Sequence, residues 1–436
     1  MFQHFAHLFQ IPELRKRILI TIGLLMVYRV GWNIPLPGID PAAIKKLMAA
    51  GGGDNTLLDF LNIISGGGLQ NAAVFSLGIM PYISASIIFS LLVKVIPALE
   101  KVSKEGSAGQ RKIGQWTRYA TVPICIVQAI FIVQPYTKPI DALSGAYLTF
   151  AQPPSTMWAF WAVIALTTGS VLLMWIGEQI TEHGVGNGIS ILIMAGIIAR
   201  LPQSVFSANL GTARAVLLMA LFVLVTLGVV FMTKGQRKIP VQYAKLTRGR
   251  RVYGGQRHYM PIRVNMAGVM PVIFASALLA FPPILFKALG LEGLAEAMRY
   301  GKYLWSMAYI GLTFFFSFFW VALMFNPVEM SKNMKESGSF IPGIRPGRPT
   351  AEYLEKIMNR ITLAGAFFLA LVAVLPVVIA DTMELPLGLT VYLGGTTILI
   401  VVSVALDLVD KLNSFLVMRN YEGFMGGSSS KGRKGR

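Results

Sequence analysis

Between Lys234 and Arg263 the chain carries nine Lys and Arg residues and no Asp or Glu. Guanidinium and ammonium groups at that density suit phosphate oxygens or an acidic protein surface. A second basic stretch, 326–360, contains the turn sequence Gly343-Ile344-Arg345-Pro346-Gly347. Little else in the chain could do chemistry. His4, His7, His183 and His258 are scattered, none at metal-ligand spacing from a Cys or carboxylate. There is no Walker A pattern, and the Ser103–Ser107 turn lacks a nucleophile context. No catalytic residue, metal or cofactor is expected. The single Cys125 sits in an apolar run and reads as a small apolar residue.

The elements that carry these loops are apolar. Of 436 residues, 54% are hydrophobic and only 14% charged. Repeated apolar runs near the spanning length predict a polytopic membrane protein. Ten spans are expected, near 18–34, 72–93, 119–133, 157–176, 185–201, 213–232, 266–289, 303–325, 361–380 and 389–408. The first run follows Arg15-Lys16-Arg17 without a cleavage pattern and reads as a retained helix. The run 213–232 is the cleanest, its insertion favoured by several kcal/mol at ~0.3–0.6 kcal/mol per strongly apolar residue. Placed on these spans, 30 of the 39 basic residues fall on one side and nine on the other. The positive-inside rule makes the first side cytoplasmic, with both termini there. Two blocks of five helices suggest an inverted duplication.

The chain divides into 1–17, a cytoplasmic amphipathic segment; 18–201, the first five spans; 202–233, an external link and the sixth span; and 234–263, a cytoplasmic loop. The spans in 264–325, the loop 326–360, the spans in 361–408 and the tail 409–436 follow. In the first loop Ile239, Val241 and Tyr243 alternate with polar positions, a turn lies at 247–250, and Val252 and Tyr253 follow. That pattern predicts a hairpin-like projection with a basic tip. Orientation needs charges but not a structured projection, so the length of both loops suggests docking.

Three further features carry alternatives. The segment 57–71 is apolar, too short to span and broken by Gly66-Gly67-Gly68. It fits an amphipathic surface loop or a re-entrant segment equally well. Ile79, Ile83 and Ile87 recur every four residues, which suits ordinary helix packing or an apolar constriction that gates by dewetting. The span centres hold almost no ionisable group. Glu178, Arg200 and Asp407 sit near span ends, which counts against an ion-coupled carrier.

Several motifs resemble one family. They are GIMPYISASII (78–88), EKVSKEGSAGQRKIGQWTRY (100–119), GEQITEHGVGNGISI (177–191), RRVYGGQ (250–256), VNMAGVMPVIFAS (264–276), GSFIPGIRPGRPT (338–350) and LGGTTILIVV (393–402). Together, and in this order, they resemble bacterial SecY, the channel subunits of the general protein translocase. The resemblance implies an all-α fold of ten transmembrane helices in two pseudo-symmetric five-helix halves around a central pore. It implies a short re-entrant plug helix carrying Leu57, Leu58, Phe60, Leu61, Ile63, Ile64, Ser65 and Gly66. The family's pore ring falls on Ile79, Ile83, Ile189, Ile193, Ile273 and Ile400. Ser86, Gln128 and Asn265 match polar residues of its lateral gate. Lys245, Arg248, Arg250, Arg251 and Arg345 match its docking surface for the SecA ATPase and the ribosome, ribosomal RNA phosphates included. Arg348 stands where the family pattern suggests an acidic residue. The partners so implied are SecE, SecG, SecA, the ribosome, signal-bearing preproteins and membrane lipids, with SecDF and YidC as further candidates. The implied function is a passive protein-conducting channel in the cell's inner membrane that opens across the membrane and sideways into lipid. A small-solute secondary transporter is the runner-up, and a pore-free insertase or receptor the third reading.

Overall fold

A computed structural model describes residues 12–39, 73–133, 156–207, 212–243, 246–248, 251–253, 257–279, 282–283, 286, 289–298, 302–383 and 394–426. The helices are α1 (Pro12–Gly31), α2 (Met80–Val95), α3 (Pro97–Lys104), α4 (Ser107–Val133), α5 (Thr156–His183), α6 (Gly188–Ser207) and α7 (Thr212–Lys234). After α7 come strands β1 (Gln236–Tyr243), β2 (Leu246–Arg248), β3 (Arg251–Tyr253) and β4 (Arg257–Arg263). The chain continues with α8 (Met270–Leu279), α9 (Glu292–Ala297), α10 (Tyr303–Met324), α11 (Pro327–Glu336), β5 (Ser339–Phe340), α12 (Arg348–Thr382) and α13 (Gly395–Gly426). It forms two compact units, residues 1–204 with 404–436, and residues 205–403.

Each of the ten expected spans contains a helix, but the boundaries differ. Helices α4 and α12 begin at Ser107 and Arg348, about a dozen residues before their apolar runs. A helix satisfies its own backbone in water as in lipid, so hydropathy marks only the part inside the membrane. Helix α2 begins late, at Met80, with Ile79 at its N-cap position and Pro81 in the first turn. Five of the described helices are long and apolar enough to cross a membrane, or six with the bent pair α2–α3 counted as one. That pair turns by 100°. The cause is local: Pro97 drives Ile96 out of the helical region, to φ −97° and ψ 112°. Helices α1 and α13 fail the same test because both carry ionisable residues within one long helix.

In the first unit α1 packs on α5, α2 on α4, and α4 on α5. Its main core gathers Tyr28, Trp32, Phe75, Ile79, Leu173, Ile176, Ile180, Ile191 and Leu192. A second core under it holds Leu36, Leu77, Ala129, Val133 and Leu166. Leu14, Val185 and Leu412 tie α1, the 184–188 turn and the middle of α13 together. Thr21 Oγ1 accepts a hydrogen bond from Val185 N there, and the Arg17 guanidinium lies over the Phe415 ring.

In the second unit α10 packs against α8 and α12. Its buried face carries Ser306, Tyr309, Thr313, Ser317 and Trp320. Small hydroxyl side chains let membrane helices approach closely, and Ser317 returns its hydrogen bond to its own helix at Thr313 O. A sheet of order β4-β1-β5 stands at the end of α7.

Candidate functional site

Four of the six candidate ring residues belong to the first unit. Ile79 sits at the start of α2, and Ile83 N donates to its carbonyl, so the two stack one turn apart. The expected stripe therefore begins one residue before the helix rather than inside it. Ile189 and Ile193 occupy the first two turns of α6. Ile79 is buried, while Ile83, Ile189 and Ile193 are half-buried against the same core. Ile79, Ile83 and Ile193 line one open recess with Tyr28, Gly78, Met80, Leu173 and Leu192. Among the described residues no charged side chain lines it. Such an apolar surface forms no ion pair and wets poorly.

The turn before α6 fixes where its isoleucines point. Asn187 Oδ1 accepts from Ile189 N and Ser190 N, capping the helix. Thr181 Oγ1 accepts from Gly188 N and donates to Gly177 O. Sequence reading passed over Asn187 and Thr181, although Asn two residues before an apolar run is a recognisable cap. Nearby, Arg118 Nε on α4 donates to Glu178 Oε1 on α5, so that end-of-span carboxylate is paired.

Ile273 and Ile400 lie in the second unit, on the first turn of α8 and the second turn of α13, both half-buried. Of the polar candidates, Ser86 and Gln128 sit half-buried on α2 and α4 of the first unit. The Ser86 carbonyl accepts from Ser90 Oγ at 2.7 Å. Asn265 is in the second unit and lies in the turn before α8, not on the helix as expected. Its Oδ1 is buried with no hydrogen-bond partner among the described residues. An unpaired buried amide oxygen costs about 1–3 kcal/mol, so its retention suggests a use. The segment 57–71, with all eight plug candidates, lies outside the described residues, as do Lys245 and Arg250.

The two basic loops prove to be one structure. β1 pairs antiparallel with β4, from Gln236 opposite Arg263 to Gln242 opposite Arg257. On its other edge β1 pairs with β5 of the second loop, Gln242 opposite Phe340 and Tyr243 opposite Ser339. Beyond them β2 and β3 pair as the expected hairpin, with Arg248 opposite Arg251 at its end. Ile239 and Val241 are buried as their alternation predicts. Tyr243 continues that alternation but is exposed, because the sheet ends there, and it meets His258 edge-on. Beneath the sheet Ile239, Ile262, Ile341, Leu354, Ile357 and Ile361 form a core of their own.

The second loop is pinned at both ends of its turn. Gly343 and Gly347 adopt φ of 84° and 105°, which other residues reach only with strain. Ile344 N donates to Ile341 O, Thr350 Oγ1 to Arg345 O, and Ser331 Oγ to Gly347 O. The backbone of Arg345 is thus fixed while its side chain is exposed. Arg348, where an acidic residue was expected, pairs instead with Glu352 one turn along α12 at 3.0 Å. Asn326 caps α11 through Oδ1 to Val328 N and Glu329 N.

The SecY family model matches residues 73–409. The protein translocase subunit SecY of Escherichia coli (strain K12) is 42% identical over 434 residues, covering 96% of each chain. A solved SecY structure, whose plug domain is described as stabilising the closed translocation channel, superposes with a TM-score of 0.61 at 18% identity. That match covers 96% of this chain and 95% of the other. The Sec61 of a canine ribosome-channel complex superposes with a TM-score of 0.57 at 18% identity, with the same coverage.

Proposed function

The chain belongs to the SecY family, and on that premise we propose that it is the central protein-conducting channel of the general secretory pathway. It passes unfolded preproteins across the membrane and releases transmembrane segments sideways into lipid. It does no covalent chemistry of its own; SecA, the ribosome or the membrane potential supplies the driving force. It is a multi-pass protein of the cell's inner membrane with both termini in the cytoplasm, in keeping with the distribution of its basic residues. SecE and SecG complete the channel, and SecDF and YidC act beside it.

In this reading Ile79, Ile83, Ile189, Ile193, Ile273 and Ile400 make the ring that closes around a passing chain. Residues 57–71 are the plug. Ser86, Gln128 and Asn265 set the bias of the lateral gate, and the sheet with Arg248, Arg250, Arg251 and Arg345 receives SecA and the ribosome.

The observation that carries the reading is the uncharged recess of the first unit, lined by three of the candidate ring isoleucines. The stiff β-branched side chains hold no ion and make no hydrogen bond to a substrate. Replacing Ile79, Ile83, Ile189 and Ile193 together by Ser is expected to raise ion leak through the channel about tenfold or more, because polar side chains wet a dewetted constriction. Planar-bilayer conductance of the purified variant, with SecE and SecG, measures this, and conductance equal to the parent rejects the ring. Reconstitution with SecE, SecA and a preprotein tests the function as a whole. ATP-dependent, protease-protected product is expected, whereas uptake of a small solute without SecA supports a carrier instead.

A further inference from the structure

Helix α12 touches three things along one side. Leu354, Ile357 and Ile361 fill the core beneath the sheet. One turn beyond Ile361 is Gly365, and seven residues further is Val372. At 100° per residue Leu354, Ile361, Gly365 and Val372 share a narrow stripe. Gly365 has no side chain to keep its neighbour away. A Cβ there stands 2.7 Å from Val264 O and 3.9 Å from Asn265 Cα, too close to the carbonyl. At Gly395, the start of α13, a Cβ meets Val372 O and Ala373 Cα in the same way. Helix α12 therefore lies backbone against backbone on the turn that carries Asn265 and on the first turn of the helix that carries Ile400.

Val264 is held from two sides. Its N–H donates to Gly235 O at 2.9 Å, and its carbonyl faces Gly365. Val264 and Met266, the neighbours of Asn265, also pack on the core beneath the sheet. Asn265 thus stands between the sheet and α8 on a turn with little room to move, its Oδ1 buried with no hydrogen-bond partner among the described residues.

We propose that Gly365 is a positioning residue for Asn265: it seats α12, a helix rooted in the core beneath the docking sheet, directly against the Val264–Asn265 backbone. A partner that shifts the sheet shifts the root of α12, and the close contact passes that movement to the gate asparagine. A side chain at 365 breaks the contact by pushing the turn off the helix. A backbone oxygen cannot swing aside as a flexible side chain does, so even a methyl group is felt. The inference rests on the reading of Asn265 as a gate residue.

The test uses the full chain in proteoliposomes with SecE, SecG and SecA, and a series of preproteins whose signal sequences differ only in hydrophobicity. Gly365→Ala is expected to change the ratio of weak-signal to strong-signal translocation by roughly threefold to tenfold, the range of mutational effects on coupling. Affinity for SecA stays as in the parent. Asn265→Leu is expected to shift the same ratio. In the Asn265→Leu background, Gly365→Ala adds nothing, because the glycine acts through the asparagine. A shift with Asn265→Leu and none with Gly365→Ala overturns the proposal and leaves the gate reading standing. Additive shifts also overturn it, because Gly365 then matters only as general packing. No shift with Asn265→Leu overturns the gate reading itself. Should Gly365→Ala not accumulate, Gly235→Ala presses on Val264 from the other side, at 3.2 Å from Val264 Cγ2, and a smaller shift in the same ratio is expected. Its absence counts against the proposal equally.

Discussion

In the first unit, Ile79, Ile83 and Ile193 face an open recess that no charged side chain lines among the described residues. In the second, Ile239, Ile262, Ile341, Ile357 and Ile361 are packed inward beneath a sheet whose exposed positions include Arg237, Lys238, Arg257 and Arg263. The same side chain serves two ends. Left facing a gap, it makes a surface that binds no particular sequence. Packed inward, it supplies the apolar burial that holds charged groups still. On the proposed function, the channel must let go of its substrate and keep hold of its motor. The first surface is therefore greasy and unspecific, and the second is charged on a rigid base.

The largest expected effect breaks the rigid base. Leu354 is fully buried at the centre of the platform core. Leu354→Ala is expected to cost about 2–5 kcal/mol there. Both basic loops then become protease-sensitive together, and SecA binding falls, while closed-channel conductance stays that of the parent. Limited proteolysis within 234–263 and 326–360 reads this, and cleavage of one loop alone shows that the two are not one folded piece.

A smaller effect separates the two arginines of the second loop. Arg345 is exposed on a pinned backbone, whereas Arg348 already has Glu352 as a partner. Arg345→Glu is expected to weaken SecA binding about tenfold at low salt, with the loss shrinking as salt rises. Arg348→Glu is expected to change binding far less. Equal losses across a salt series mean that net charge, not the geometry of the turn, does the gripping.

The smallest effect lies on α3, where charges stand on no buried base at all. There Lys104 donates to the Glu100 carboxylate at 2.8 Å. That bond, and then the charge of Lys104, holds the Glu100 carboxyl below its ordinary value. A lowered carboxyl stabilises the fold above the ordinary carboxylate range, and the contribution is lost as pH falls through the lowered value. Lys104→Ala is expected to move the Glu100 titration, followed by NMR, back toward the ordinary value with almost no change in thermal stability. A large stability loss makes α3 more like the platform than the exposure of its residues implies.

Much of the platform is legible in the sequence. Alternation at Ile239 and Val241, and the Thr247-Arg248-Gly249-Arg250 turn between apolar pairs, point to strands and a hairpin. β5 is not legible. It is two residues long, too short to show a period, and it pairs with residues nearly a hundred positions earlier. Its pairing turns two loops into one sheet. At the recess, the spacing of Ile79 and Ile83 suggests a shared face. The cap at Asn187 that aims Ile189 and Ile193 is local and was readable. The backbone approaches at Gly365 and Gly395 were not, because a glycine inside an apolar helix looks the same whether it faces lipid or another backbone.

By itself the sequence pointed to ten apolar runs, each of which contains a helix, to the gathering of the basic residues in one set of loops, and to the family. Each of these follows from local composition and order: apolar length, the placement of Lys and Arg, and strings of residues in sequence. Only the tertiary structure decided that the two loops share one core and that Asn265 stands in a turn pressed against α12. Those depend on which distant backbones come within hydrogen-bonding or van der Waals reach, and no period along the chain records that.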